Sequence, residues 1–293
     1  MAKNEQLGGR SAQLFIFSNL LYTLVMTITF VVANPKGGVG RTTSVMNLGA
    51  AIAASGFSTL MVDLDPQGAL TVSHGIDPYT VRPSTLELLL DEKIGLDEVA
   101  RRIGSNLLLA PASTELISGD YRLAREPGRT TRLKSALGRA GDWLDICLID
   151  TPPSLGILTF NGLLAGDGLI VPVATDYLAM RGVRAVLESV ALIQNRMNAG
   201  LRLLALVPTF YRKGSAQSEA VVFEMRKVFN GKVAAAVIPF DEAASAAPAV
   251  RKSVLDYAPE SPAADAYRQL GREILDQLSL PNRSPSIRRP SRR

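Results

Sequence analysis

The run Asn34-Pro35-Lys36-Gly37-Gly38-Val39-Gly40-Arg41-Thr42-Thr43 follows directly on the apolar stretch Ile28 to Ala33. It limits what this chain can fold into more than any other segment does. Residues 27–33 read TITFVVA, rich in β-branched and aromatic side chains, which predicts a buried strand. From Thr42 onward Val45, Leu48, Ile52 and Ala53 recur at helical spacing. Gly37, Gly38 and Gly40 at the strand-to-helix turn let successive backbone N–H groups converge on one point. A polyphosphate fits there, against the N-terminus of the following helix. Thr42, directly after the basic Arg41, places its hydroxyl to ligate a magnesium ion.

Two acidic segments belong with this loop. The strand-like run Thr59 to Val62 ends in Asp63, with Asp65 two residues on and therefore on the same side of the strand. One carboxylate can organise the water shell of a metal and the other can position an attacking water. The apolar run Ile146-Cys147-Leu148-Ile149 ends in Asp150, which delivers a metal-supporting carboxylate beside the phosphate loop.

The loop fits the pattern K-G-G-x-G-K-[ST] except at Arg41, and in this it resembles the deviant phosphate loop of the ParA/MinD superfamily. Asp63-Leu64-Asp65-Pro66-Gln67-Gly68 is similar to that family's D-x-D-P-Q-G segment, and Asp150-Thr151-Pro152-Pro153-Ser154-Leu155-Gly156 to its D-x-P-P-S-L-G. The resemblance runs from roughly residue 27 to 278. It implies an ATP-Mg2+ site in which Gly37, Gly38, Val39, Gly40, Arg41, Thr42 and Thr43 cradle the phosphates. By the same resemblance Asp65 positions the water and Asp63 and Asp150 support the metal. Lys36 reaches across a homodimer to the partner's nucleotide. The implied activity is that of a cytoplasmic, nucleoid-attached partition ATPase that moves plasmid or chromosome DNA and is stimulated by a ParB-like partner. Arg41 keeps the positive charge but presents a bulkier, planar fork, so slow hydrolysis is expected. The rival readings are a non-hydrolysing ATP switch and a MinD-like positioning ATPase at a membrane; for a third class, a metabolic amide-forming or kinase-type enzyme, the sequence shows no substrate motif.

Strand-like runs at 27–33, 58–63, 107–111, 144–150, 168–173, 203–208 and 233–238 alternate with helical patterns. That alternation predicts one doubly wound α/β domain with a mostly parallel sheet flanked by helices. Its expected bounds are residues 26–280, between an extension over 1–25 and a basic tail over 281–293. Leu14 to Ala33 carries no formal charge, yet its second half is needed as the central strand. The remaining dozen or so residues are too short to span a bilayer comfortably. A membrane-associated helix in the extension is the alternative, and membrane attachment is not expected. Pro262 to Leu278 has Ala263, Tyr267, Leu270 and Ile274 on one face, the pattern of a helix packed on its own domain.

The chain carries a net charge of +5, and residues 279–293 alone supply five arginines and no acid. The rest is therefore close to neutral, and its pI is no argument for a basic folded face. A single cysteine, Cys147, excludes a disulfide framework and the paired ligands of the nitrogenase iron protein, a relative with the same loop. The lone His74 is read as structural.

DNA binding is where the chain departs from its relatives. Many partition ATPases carry an arginine a few residues past T-x-[FY]; after Thr209-Phe210-Tyr211 the aligned position is Gly214. The family's I-P-R-N-x-R reads Ile238-Pro239-Phe240-Asp241-Glu242-Ala243, without either arginine. Replacement phosphate contacts are expected from Arg212, Lys213, Arg251, Lys252 or the arginine tail, giving salt-dependent, sequence-independent binding.

Overall fold

Seven strands form one sheet: β1 (Ile28–Val32), β2 (Thr59–Asp63), β3 (Arg101–Gly104), β4 (Leu107–Ala110), β5 (Ile146–Asp150), β6 (Gly168–Ala174) and β7 (Arg202–Thr209). The structure is a computed structural model. It describes residues 27–176 and 197–278, and between them residues 183, 187, 188, 191 and 193–195, which are helical. The expectations for residues 1–25 and 281–293 lie outside the described residues. The sheet order is β3-β4-β2-β5-β1-β6-β7, parallel throughout except for β3, which runs antiparallel to β4.

Strands β2, β5 and β6 are buried along their whole length, which is why they read as unbroken apolar runs. Side chains alternate between the two faces and feed two cores. On one face Val31 packs with Val62, Cys147 and Ile149. On the other, Phe30 and Val32 pack with Met61, Ile146 and Leu148.

The helices are α1 (Arg41–Ala54), α2 (Ala69–Ser73), α3 (Thr85–Leu90), α4 (Leu96–Val99), α5 (Gly119–Leu123), α6 (Arg132–Gly138), α7 (Ile157–Ala165), α8 (Ala216–Val228), α9 (Glu242–Ala246), α10 (Val254–Tyr257) and α11 (Pro262–Gln277). Leucines of α3, α6 and α7 cover the first core; α1 and α11 cover the second. Ser261 caps α11 by accepting from the Ala264 N–H, and Pro262 occupies its first turn. Tyr267, Leu270 and Ile274 are fully buried, as the helical spacing predicts. Gly271 lets α11 approach α1 closely: a Cβ there would lie 3.2 Å from the Ala51 Cβ.

Two sequence expectations differ from the structure. The segment 233–238 is not a strand of the sheet; it touches β7 only through an isolated bridge between Leu206 and Val233 and hydrogen bonds such as Ala234 N–H to Leu206 O. The Glu273 carboxylate of α11 accepts the Ala235 and Ala236 N–H groups, which a ladder would have used. Conversely β3 was not expected, because Arg101-Arg102-Ile103-Gly104 is no apolar run. As an edge strand it needs only one buried face.

The parallel register positions the site. Val32 pairs with Asp150, and Asp150 pairs with Asp63. The loop after β1 and the carboxylates ending β5 and β2 therefore stand side by side at the carboxyl edge of three neighbouring strands. In open α/β sheets that edge is where ligands bind.

Candidate functional site

The loop is built as its glycines demand. Gly38 (φ 70°) and Gly40 (φ 83°) both lie in the left-handed region, and nothing stands within 4 Å of a Cβ placed on Gly37 or Gly38. Asn34 anchors the turn: its amide donates to Pro172 O (2.8 Å) and its Oδ1 accepts from the Lys36 N–H (2.9 Å). Val39 is buried, and its carbonyl accepts from the Thr209 hydroxyl (2.9 Å). Thr42 and Thr43 lie in the first turn of α1, where unpaired N–H groups and the helix dipole favour an anion.

The two basic residues of the loop are both held. The Lys36 Nζ lies 2.6 and 2.8 Å from the carboxylate oxygens of Asp176, half exposed to solvent. Arg41 folds back under the loop, donating to the carbonyls of Asn34 and Lys36, with its Nη2 3.9 Å from Asp65 Oδ2. Its Nε is buried without an acceptor. A guanidinium can brace two carbonyls and a carboxylate at once because its donors form a planar fork.

Asp63, Asp65 and Asp150 converge, and Arg41 is the cation that faces Asp65 and Asp150. Asp63 is wholly buried and its oxygens are committed to the segment that follows. One accepts the Asp65 N–H, and the other accepts the N–H and hydroxyl of Thr71 at 2.9 and 2.7 Å. Burial pushes its pKa up to about 7, against the pull of Thr71. Asp65 accepts the Gln67 N–H and faces Arg41. Asp150 is buried with both oxygens lacking a hydrogen-bond partner. Burial, then the neighbouring Asp63, drive its pKa well above the carboxylate range. The Thr42 hydroxyl, outside good hydrogen-bond geometry, and the Arg41 charge oppose that shift. An orphaned buried carboxylate beside a threonine hydroxyl and an anion-binding loop fits a hydrated divalent cation, the group that would settle its charge.

Beside the loop opens a pocket of about 120 Å3, lined by Gly40, Thr43, Phe210, Ile238, Pro239 and Phe240 among others. Phe210 takes a left-handed backbone (φ 53°), and its ring lies 3.6 Å from where a Cβ on Gly40 would sit. Sequence reasoning missed this pocket as a ligand wall. Thr209-Phe210 and Ile238-Pro239 were legible as segments, but nothing in a linear pattern says that their side chains meet Gly40. It missed Asp176 altogether, which lies 140 positions from Lys36. Of the expected DNA contacts, Arg212 stacks over the Phe240 ring at 3.8 Å, and Lys213 and Lys252 are exposed. The Arg251 side chain lies over Gly75.

Residues 27–203 match the family model described as an AAA domain. The sporulation initiation inhibitor protein Soj of Bacillus subtilis is 35% identical over 83% of this chain and 96% of its own length. This chain belongs to the ParA/Soj family. The chromosome partitioning protein ParA of Caulobacter vibrioides is 34% identical over 84% of the ParA-family chain and 93% of its own length. Among solved structures, cobyrinic acid a,c-diamide synthase from Mycobacterium smegmatis with bound ADP and magnesium is 34% identical. It superposes with a TM-score of 0.76 over 89% of this chain and all of that one. The septum site-determining protein MinD of Pyrococcus horikoshii, with Mg-ADP, aligns at a TM-score of 0.68 with 25% identity, covering 87% and 98% of the two chains. These neighbours share the ParA/MinD type of P-loop fold, and the doubly wound architecture expected from the sequence is the one observed. Among the described residues, no helix of this ParA-family chain is long and apolar enough to cross a membrane.

Proposed function

We propose that the chain is a partition ATPase that binds ATP with Mg2+, dimerises on it and hydrolyses it slowly. The observation that carries this reading is Asp150: a buried, unpartnered carboxylate beside Thr42 at the mouth of a glycine phosphate loop. The N–H groups of Gly37 through Thr43 bind the phosphates, and the pocket of Phe210 and Phe240 receives the base. Thr42 and Asp150 would hold the metal's coordination sphere, with Asp63 fixing the turn that carries Asp65. Bound there, Mg2+ supplies charge neutralisation at the β- and γ-phosphates. Asp65 orients the attacking water. To serve the phosphates, Arg41 exchanges the carbonyls of Asn34 and Lys36 for phosphate oxygens, and that exchange contributes to the barrier.

Lys36 leaves Asp176 to contact the nucleotide of a second copy, which makes the active unit a homodimer. Its relatives' names, which speak of chromosome and plasmid partition, support DNA of that kind as the cargo. The reading adds attachment to non-specific DNA at the nucleoid, a cytoplasmic site of action and release by a ParB-like activator. The name of the cobyrinic acid a,c-diamide synthase favours one second reading, ATP-dependent amide formation. Titration with a fluorescent ATP analogue, with and without Mg2+, followed by phosphate release with and without duplex DNA, tests the proposal. Mg2+-dependent binding and DNA-sensitive phosphate release are expected. Hydrolysis that waits on ammonia and a carboxylic acid substrate would favour the amide synthase instead.

A further inference from the structure

Asp150 ends β5 buried, with no hydrogen bond to hold its carboxylate. Its aim therefore depends on how the backbone leaving the strand is fixed. Three contacts do this between Thr151 and Leu158. The Thr151 hydroxyl donates to Val32 O (2.9 Å), which ties the start of the segment to the strand that leads into the phosphate loop. The Thr159 hydroxyl donates to Ser154 O (2.5 Å), closing the middle onto the first turn of α7. The third contact comes from elsewhere in the chain: Asp120 of α5 accepts the Leu158 N–H at 3.0 Å. Within the segment stand Pro152 and Pro153, whose rings fix φ. The result is a short, stiff strap, and a shift at the start of α7 is passed back along it to Asp150.

The Asp120 contact is built for this pair of helices. Helix α7 follows Gly156, which has no side chain with which to cap it. The Asp120 carboxylate caps it from α5 instead, and places a negative charge where the helix dipole favours one. Two glycines make the approach possible. A Cβ on Gly156 would overlap the Asp120 carboxylate, and one on Gly119 would lie 3.3 Å from Leu158 Cδ2. The glycine that closes the run from Asp150 to Gly156 thus has a use of its own: it is the opening through which Asp120 reaches the helix.

We propose that Asp120 is a positioning residue for the metal end of the site. By capping α7 across a helix boundary it sets the strap from Thr151 to Gly156, and through the strap it holds Asp150 where a hydrated Mg2+ beside Thr42 needs it. The inference rests on the reading of Thr42 and Asp150 as the residues that hold the metal's coordination sphere. Asp120 acts through Asp150 and not on the nucleotide.

The test uses the full chain and a fluorescent non-hydrolysable ATP analogue, titrated with Mg2+ and again in excess chelator, followed by turnover of ATP. Asp120→Ala should shrink the gain in analogue affinity that Mg2+ provides by about tenfold and lower kcat by a similar factor, the usual cost of losing the support behind a metal-holding residue. Affinity in chelator should stay at the parent's value. Asp120→Asn keeps an oxygen for the Leu158 N–H, and asparagine caps as well as aspartate, so it should restore both the Mg2+ gain and kcat. Gly156→Ala leaves Asp120 in the chain but displaces its carboxylate, and should reproduce the loss; it decides the matter if the Asp120→Ala chain does not fold. A lowered melting temperature with the Mg2+ gain and kcat unchanged would make Asp120 a helix cap and nothing more. Equal losses with Mg2+ and in chelator would spread its effect over the whole nucleotide site. Either result overturns the role of Asp120 and leaves the ATP site intact. A parent chain in which Mg2+ adds nothing to analogue affinity would instead overturn the reading beneath it.

Discussion

The corner formed by β1, β2 and β5 and the segment from Thr209 to Lys252 meet at one pocket, yet they are built on opposite terms. In the corner, Asp63, Asp65, Asp150 and Val39 are all buried, and hydrogen-bond partners or the sheet register fix most of their positions. In the later segment Phe210, Arg212, Phe240 and Arg251 are exposed, and two of the four have left-handed backbones. The buried corner matches its family's motifs nearly letter for letter. The exposed segment carries no arginine over residues 238–243. Charge inside a low-dielectric corner is useful only at one geometry, whereas phosphate contacts on a surface can be supplied from many positions.

The largest effect should come from the corner. Asp65→Ala is expected to lower turnover by a factor on the order of 10²–10³ while nucleotide still binds, measured as single-turnover phosphate release. An effect below about tenfold would place the water elsewhere. Gly40→Ala forces a left-handed alanine, at a cost of roughly 1–2 kcal/mol, and sets its methyl against the Phe210 ring beside the phosphate loop. Both thermal stability and nucleotide affinity should fall.

The buried carboxylates also predict a pH dependence. Asp63 is raised to about 7 and Asp150 is raised as well, so the folded chain binds more protons than the unfolded one between about pH 4 and 7. Stability without nucleotide should therefore decline as pH rises through that window. Asp63→Asn should reduce the slope, and Mg2+ with nucleotide should flatten it; a melting temperature that climbs with pH would contradict the burial argument. Arg41→Lys should raise turnover by about tenfold, close to 1.4 kcal/mol off the barrier, because an ammonium has no fork to unlatch from the loop carbonyls. A slower variant would show that arginine is a working substitute. The smallest effect belongs to the surface: Arg212→Ala removes a cation–π contact of about 0.5–1 kcal/mol, read as a modest loss of duplex affinity without change in ATP binding. A loss of nucleotide affinity instead would make Arg212 part of the base pocket.

What was legible in the chain divides along the same line. The runs ending in Val32, Asp63 and Asp150 announce buried strands, and a parallel sheet places their ends together, so the corner could be read before the fold was known. Edge strand β3 could not, because Arg101 and Arg102 carry no strand pattern. Residues 233–238 looked like a strand because their apolar run hides that Glu273, a residue of α11, claims their amides. Likewise the tether between Lys36 and Asp176 and the seat of Arg251 on Gly75 join residues far apart in the chain. Local periodicity carries no information about such pairs.

The stacking of Arg212 on Phe240 has a consequence for how this surface is read. Residues 238–243 bring no cation of their own to this surface. In space one is there: the Arg212 guanidinium lies 3.8 Å from the centre of the Phe240 ring. The patch around Phe240 thus carries a positive charge supplied by the neighbouring segment. Counting charges along one stretch of sequence would report a neutral or acidic face where the folded chain presents a cation.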